Sequence, residues 1–234
     1  CDFYIPDRFK DGYGPNKNLL NKLIDKNKYS LVFFVDCASN SSEEIKYLEK
    51  NGLKIIIIDH HQIYNKNNYK NTVIINPLKN YSENQFSFFC STTLVYFFIN
   101  YLCRNIKKKI KVDFNKYLFF SAVATICDQM PLRKINKKIV KNGLKNYNFS
   151  NFPNFKRILK LKKKISSTDI GFNLGPMLNS PSRLGYSDLP IKLLIETNNN
   201  NINKFSDKLI NLNEKRKNIQ NETFKLLNNN TEII

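Results

Sequence analysis

The sequence predicts an α/β fold: a parallel β-sheet flanked by helices, followed by helical segments and a long C-terminal connecting helix. Three observations predict it. Short, near-continuous apolar runs alternate with polar stretches able to form helices, the mark of buried parallel strands. From about Ser91 the apolar spacing lengthens to a helical period. Beyond residue 200, single apolar residues recur at helical intervals in a charged background.

The elements follow in order. Tyr29 to Val35 (YSLVFFV) is apolar, aromatic and β-branched, hence a strand, and polar residues Ala38 to Ser42 follow it. Ser41-Ser42-Glu43-Glu44 opens a helix, with a Ser cap and acids that suit the positive end of the helix dipole. Asn51-Gly52 closes it. Leu53 to Ile58 (LKIIII) is the second strand and ends at Asp59; Thr72 to Ile75 is the third and ends at Asn76-Pro77. Runs of this kind predict a sheet covered on both faces. Helices are predicted over Thr92 to Arg104, Phe114 to Cys127 and Asn136 to Tyr147, before a basic segment that includes Lys160 to Lys164. The run Asn198 to Asn201 reads as a loop, and Phe205, Leu209, Leu212, Ile219 and Leu226 as one face of a long amphipathic helix. The domain organisation predicted is one main domain over residues 1–200 and a connecting helix over 201–234 that leads toward a further domain.

Composition narrows the function classes. At 234 residues, with 41% hydrophobic and 13% aromatic content, the chain can bury a core, which excludes a disordered protein. No apolar stretch approaches the roughly 18 residues of a membrane span, so no membrane partner is expected. Five cysteines, an odd number without a Cys-x-x-Cys pair, read as reduced thiols of a cytoplasmic protein and not as a zinc site. The net charge of +19 favours polyanionic partners. The same lysines, with abundant Asn and Ile, are also what an AT-rich genome produces, so charge supports a nucleic-acid reading without carrying it. The chain opens on Cys1-Asp2-Phe3-Tyr4, strand-like and without an initiator Met, and reads as a fragment; Thr231 to Ile234 lacks a stop signal.

The chemistry gathers at strand ends. The first predicted strand closes on Asp36 and the second on Asp59-His60-His61. Ligands of open parallel sheets bind beyond the carboxyl ends of the strands, so neighbouring strands can bring these groups into one crevice. Carboxylate plus imidazole suits Mn²⁺ or a related metal. A lone His is more often structural than a ligand, but here the only two histidines of the chain are adjacent, beside an Asp, at a buried strand's end. In extended backbone they point to opposite sides, which leaves one for metal and one for substrate. Asp128 ends the small-residue helix of Ala122-Val123-Ala124-Thr125-Ile126-Cys127 just before Met130-Pro131. An acid there faces the negative pole of the dipole, and a cation beside it would relieve that cost.

Val35-Asp36-Cys37, Asp59-His60-His61 and Ala124 to Leu132 (ATICDQMPL) resemble successive motifs of the DHH phosphoesterases. Tyr4-Ile5-Pro6-Asp7-Arg8 with Gly12-Tyr13-Gly14-Pro15, and Gly175 to Gly185 (GPMLNSPSRLG), resemble more narrowly the RecJ exonucleases. The resemblance implies a two-metal centre of Mn²⁺ or Mg²⁺ that hydrolyses single-stranded DNA from a 5′ end, in repair and recombination. It implies Asp36, His60 and Asp128 as metal ligands, with Asp36 bridging. Asp59 and His61 become the catalytic pair, Asp59 orienting the site or assisting ligation and His61 facing the scissile phosphate. Arg8, Asn179 and Arg183 become phosphate or nucleic-acid contacts, because a guanidinium fork fits an anionic oxygen pair. Single-stranded DNA is the partner implied, with a single-stranded-DNA-binding protein and a helicase as associates.

The departures from the family pattern are specific. Its first motif, an Asp-x-Asp segment, is not found ahead of Cys1, which implies an incomplete centre and a chain with little or no nuclease activity by itself. Met177 stands where relatives usually have Arg, Ser180-Pro181-Ser182 replaces a run of small residues with Gly, and Ala38 stands where relatives often carry Gly. The competing readings are an oligoribonuclease or nucleotide phosphatase of the same family, and a non-catalytic nucleic-acid-binding remnant. Activity on long single-stranded DNA against dinucleotides separates the first, and manganese binding separates the second.

Overall fold

The computed structural model describes residues 1–25, 28–64, 68–79, 86–107, 110–148 and 150–230. They form two compact units, Tyr13–Asn146, and Cys1–Gly12 together with Tyr147–Ile234.

The first unit is built on a parallel sheet of order β1-β2-β3, comprising β1 (Leu31–Val35), β2 (Lys54–Ile58) and β3 (Thr72–Ile75). Register pairs Val35 with Ile58 and Ile58 with Ile75, and the ladder continues one residue further through Asp36 N–H to Ile58 O (2.9 Å) and Asp59 N–H to Ile75 O (3.1 Å). The three strands therefore end level, with Asp36, Asp59 and Asn76 side by side.

β2 is the centre of the unit. Its Ile55 and Ile57 face a core with Leu20, Ala38, Ile45, Leu48 and Leu53, under α1 (Lys17–Leu23) and α2 (Ser42–Lys50). Ile58 faces a second core with Phe89, Leu94 and Ile139, under α3 (Ser91–Asn105), α4 (Phe114–Cys127) and α5 (Lys134–Lys145). Each fully buried Ile contributes roughly 1.5–3 kcal/mol, which fixes the register, since a slip of one residue would exchange the two faces. The expectation of cover on both faces holds for β2 alone. Leu31, Phe33 and Val35 of β1 and Val73 of β3 remain exposed, because the covering helices are centred over β2. α4 and α5 approach closely at Gly143, where a Cβ would lie 2.5 Å from the Ala122 Cβ and 2.7 Å from the Leu118 carbonyl oxygen.

Of the two predicted signals at the ends of α2, the cap differs in the structure and the stop stands. Ser41 occupies the N-cap of α2 without a capping side-chain bond; Glu43 and Glu44 in the first turn are its remaining favourable feature. Gly52 ends the helix region at φ +82°, as a left-handed stop requires.

In the second unit, Phe152, Phe155, Ile158, Leu159, Ile170, Leu174, Leu193 and Leu209 are buried. Ser166 opens α6 (Ser167–Asp169), a π-helical turn follows over Ile170–Leu174, and α7 (Gly175–Asn179) leads into a 3₁₀ turn at Pro181–Leu184. α8 (Leu189–Ile195) and α9 (Asn199–Asn230) complete it. The Asn run predicted as a loop is the start of α9: Asn198 Oδ1 accepts from the N–H of Asn200 (2.9 Å) and Asn201 (3.3 Å), so one Asn caps and the next three are helical. The predicted apolar stripe is buried only as far as Leu212; Ile219 and Leu226 are exposed. Residues 231–234 of the predicted helix lie outside the described residues. Among the described residues no helix is long and apolar enough to cross a membrane.

Candidate metal centre

Strand ends create the site, and backbone conformation shapes it. Asp36 leaves β1 at φ +64°, a left-handed geometry that Asp tolerates, and Ala38 follows at φ +79°, where a Cβ is strained. This double reversal lets the chain fold back across the end of β2 and brings the Ser39 N–H onto Asp59.

Asp59 is the buried anchor, 1% exposed. Its Oδ2 accepts from Ser39 N–H at 3.2 Å. Its Oδ1 accepts from the N–H groups of His60 (2.8 Å) and His61 (3.3 Å) and meets His61 Nδ1 at 2.7 Å. Burial pushes this carboxyl up, but the bonds from Ser39, His61 and His60 outweigh it and hold the group below its ordinary value. A carboxylate on Nδ1 fixes the orientation of the imidazole and leaves Nε2 directed away from Asp59.

Asp36 Oδ1 lies 3.3 Å from His60 Nε2. That hydrogen bond raises the His60 pKa; burial opposes it, and the charges of Asp36, Asp128 and Asp59 add to the rise. Ligand atoms of Asp36, His60 and His61 all lie within 4.8 Å of one another. Asp128, the C-cap of α4, stands outside that trio but within electrostatic reach. Burial and the Asp36 charge raise its pKa, and the two histidines oppose the rise. Its turn is set by Gln129 at φ +53°, with Gln129 N–H bonding to Ile126 O (3.1 Å) and Met130 N–H to Thr125 O (3.0 Å). This is a Schellman closure with Gln in the place Gly usually takes. Cys37 and Cys127 flank the acids, and burial, then the neighbouring carboxylates, pushes both thiols up to about 11. They are therefore protonated and poor ligands beside the carboxylates and imidazoles.

The structure thus brings Asp36, Asp59, His60 and His61 together at the strand ends, with Asp128 beside them. Arg8, Asn179 and Arg183 belong to the second unit. Arg8 is exposed at the tip of a turn braced by Asp7, whose Oδ1 accepts from the N–H of Phe9 (2.9 Å) and Lys10 (3.1 Å). Asn179 and Arg183 are exposed, the latter in the 3₁₀ turn that Gly185 ends at φ +78°. Among the described residues neither arginine has a side-chain ion pair.

Sequence reasoning gave no role to several supporting residues. Asn76 Nδ2 donates to Ser39 Oγ (3.0 Å) and His61 O (2.9 Å), and Asn40 clamps the next turn through Gln62 O (2.7 Å) and the Tyr64 N–H (3.0 Å). Tyr13 Oη donates to Asp36 O at 3.2 Å, and its ring meets the His61 edge at a centroid distance of 6.3 Å. The one available signal was Asn76, a polar residue at the end of the third strand, level with the other two.

Comparison with known proteins gives a consistent picture. The DHH family, N-terminal domain, matches residues 1–125, more than half of the chain. The single-stranded-DNA-specific exonuclease RecJ of Bacillus subtilis (strain 168) is 27% identical over 219 residues, covering 92% of this chain and 27% of the relative. The protein of that name from Haemophilus influenzae is 25% identical over 232 residues, covering 94% and 40%. The chain therefore spans about a quarter to two fifths of the length of these relatives. A crystal structure of exonuclease RecJ bound to manganese superposes with a TM-score of 0.81 at 21% identity, covering 96% of this chain and 56% of that one. RecJ in complex with Mn²⁺ from Thermus thermophilus gives 0.70 at 21% identity, covering 86% and 30%. At that identity the likeness is one of fold.

Proposed function

The chain belongs to the DHH family, and from that premise we propose that it is the metal-dependent exonuclease domain of a protein that hydrolyses single-stranded DNA from its 5′ end in repair and recombination. The observation that carries the reading is the convergence of Asp36, His60 and His61 ligand atoms within 4.8 Å, backed by a buried carboxylate on the His61 ring (2.7 Å). The donor set of carboxylate and imidazole fits Mn²⁺ or Mg²⁺, the ions carried by the RecJ structures of similar fold.

Asp36, His60 and Asp128 would hold the metals, and Asp36 would be the shared ligand. Bound divalent ions supply an activated water and neutralise charge on the phosphoryl oxygens. Asp59 keeps His61 in one tautomer and one orientation, so that Nε2 faces the substrate side. Arg8, Asn179 and Arg183, exposed and without ion-pair partners among the described residues, are suited to meet backbone phosphates.

Titration of Mn²⁺ into the purified chain, followed by calorimetry, tests the reading. Saturable binding that is lost in Asp36→Ala and in His60→Ala supports it. No binding, or binding unchanged in both variants, overturns it. In the protein that carries this domain, the same variants should lower turnover of a 5′-phosphorylated oligodeoxynucleotide by at least about 10³-fold, as expected when a ligand that generates the nucleophile is removed. Equal activity on dinucleotides would instead assign an oligoribonuclease.

A further inference from the structure

We propose that the exposed face of α5 is a track for the phosphodiester backbone of single-stranded DNA, leading away from the metal centre; this rests on the function proposed above. α5 (Lys134–Lys145, KINKKIVKNGLK) carries Lys134, Lys137, Lys138, Lys141 and Lys145 and not one acid. Stepped at 100° per residue, the five fall within an arc of about 100°. Asn136, Ile139, Val140 and Gly143 occupy the opposite side and are buried. All five lysines are exposed, and among the described residues none forms an ion pair. At 1.5 Å per residue the stripe is about 16 Å long, enough to face several successive phosphates.

Compositional drift toward lysine does not account for this face. α9 is as exposed and has the same Lys-rich background, yet its Lys204, Lys208, Lys215, Arg216, Lys217 and Lys225 are interleaved with Asp207, Glu214 and Glu222. There Lys217 pairs with Glu214 at 2.8 Å and Arg157 with Asp207 at 2.6 Å. Like charges at i, i+3 and i+4 disfavour a helix, and among the described helices α5 alone accumulates them without an acid on the same element. A polyanion is the ligand class that would turn that repulsion into attraction.

Placement and rigidity agree. α5 begins six residues after Asp128. Asn136 Nδ2 donates to Phe88 O (2.6 Å) and Pro131 O (3.0 Å), and the Arg133 guanidinium lies 4.9 Å over the Phe88 ring, so the linker between acid and helix is pinned. The close approach at Gly143 locks α5 onto α4. The lysines therefore project from a fixed surface that begins six residues after Asp128.

The test is binding of a fluorescein-labelled oligodeoxythymidylate to the whole chain by anisotropy, in EDTA, across a salt series. The variant carries Lys137→Gln, Lys138→Gln, Lys141→Gln and Lys145→Gln, with thermal melting checked against the unaltered chain. Each lost phosphate contact lowers the salt slope by about 0.7, so the slope should fall by about 2 to 3 and affinity at low salt at least tenfold. The matching Lys→Arg variant should retain both. A second variant removes the same charge from α9 (Lys204, Lys208, Lys215 and Lys225 to Gln) and should lose less than threefold. Equal losses in the two Gln variants, an unchanged slope, or no salt-dependent binding by the unaltered chain would each overturn the track. Because EDTA removes metal, this outcome is independent of the Mn²⁺ titration.

Discussion

Two buried carboxylates, one in each unit, solve the same problem toward different ends. Asp59 is 1% exposed and Asp169 is 7% exposed, and both are held below the ordinary carboxylate range. Asp59 accepts from Ser39, His60 and His61, groups that compose or border the candidate metal centre. Asp169 accepts from the Ser166 N–H (2.9 Å) and Oγ (2.8 Å) and from Lys162, and so closes a capping box at the start of α6. One network holds the His61 ring at the candidate metal centre; the other starts a helix. Stability and activity should therefore be coupled at Asp59 and separable at Asp169.

The largest effect is expected at Asp59. Asp59→Ala leaves two or more buried N–H donors unpaired, which costs on the order of 3 kcal/mol, and it frees the His61 ring. Chemical denaturation should show that loss together with weaker Mn²⁺ binding. Asp36→Asn, at a side chain 56% exposed and with a residue that still tolerates φ +64°, should weaken metal binding with stability changed by less than about 0.5 kcal/mol. A stable Asp59→Ala variant would break the comparison.

The Asp169 network makes a pH prediction. The Lys162 bond comes first among the causes that lower this carboxyl to about 2, followed by the bonds from Ser166. A depressed pKa contributes stability above the unfolded value, near 3.9, and loses it as pH falls through the folded value. The contribution is at most about 2.5 kcal/mol. Asp169→Asn should thus be less stable than the unaltered chain at pH 7, and the gap should close between about pH 4 and pH 2. A gap that persists at pH 2 means packing, not ionisation, is responsible. Mn²⁺ binding should not change.

Much of this was legible because apolar runs announce their own ends. β3 and α4 have the predicted bounds, and the acids and histidines closing β1 and β2 stand where register places them. What escaped reading depends on contacts distant in sequence. Asn76 reaches Ser39 across 37 positions and His61 across 15, and no local pattern records such bonds. The exposure of Phe33 and Val35 reflects which helices lie above them, which strand composition does not encode. The α5 stripe was hidden for another reason: in a chain with 38 basic residues, a face without acids is visible only once helix bounds are fixed.

Arg183 sharpens the comparison from the functional side. It projects from a 3₁₀ turn, exposed and without an ion pair among the described residues, as the proposed phosphate contact requires. In the protein that carries this domain, Arg183→Ala should leave stability within about 0.5 kcal/mol and raise KM for single-stranded DNA about tenfold, the loss of one charge-assisted contact. A collapse of kcat instead would place this side chain at the reacting phosphate.

The smallest effect is expected at Ala38, where opposing terms nearly cancel. At φ +79° its Cβ is strained by roughly 1–2 kcal/mol, which glycine would relieve. Yet the residue is only 7% exposed and packs in the core with Ile45 and Ile55. Losing that methyl costs about 0.8 kcal/mol, and the freer unfolded chain costs about 0.5–1 kcal/mol more. Ala38→Gly should therefore change stability by no more than about 0.5 kcal/mol. A stabilisation above about 1 kcal/mol would show that the reversal after Asp36 is held under strain by the Asp59 network. A destabilisation of that size would show that the methyl, more than the backbone, keeps Ser39 against Asp59.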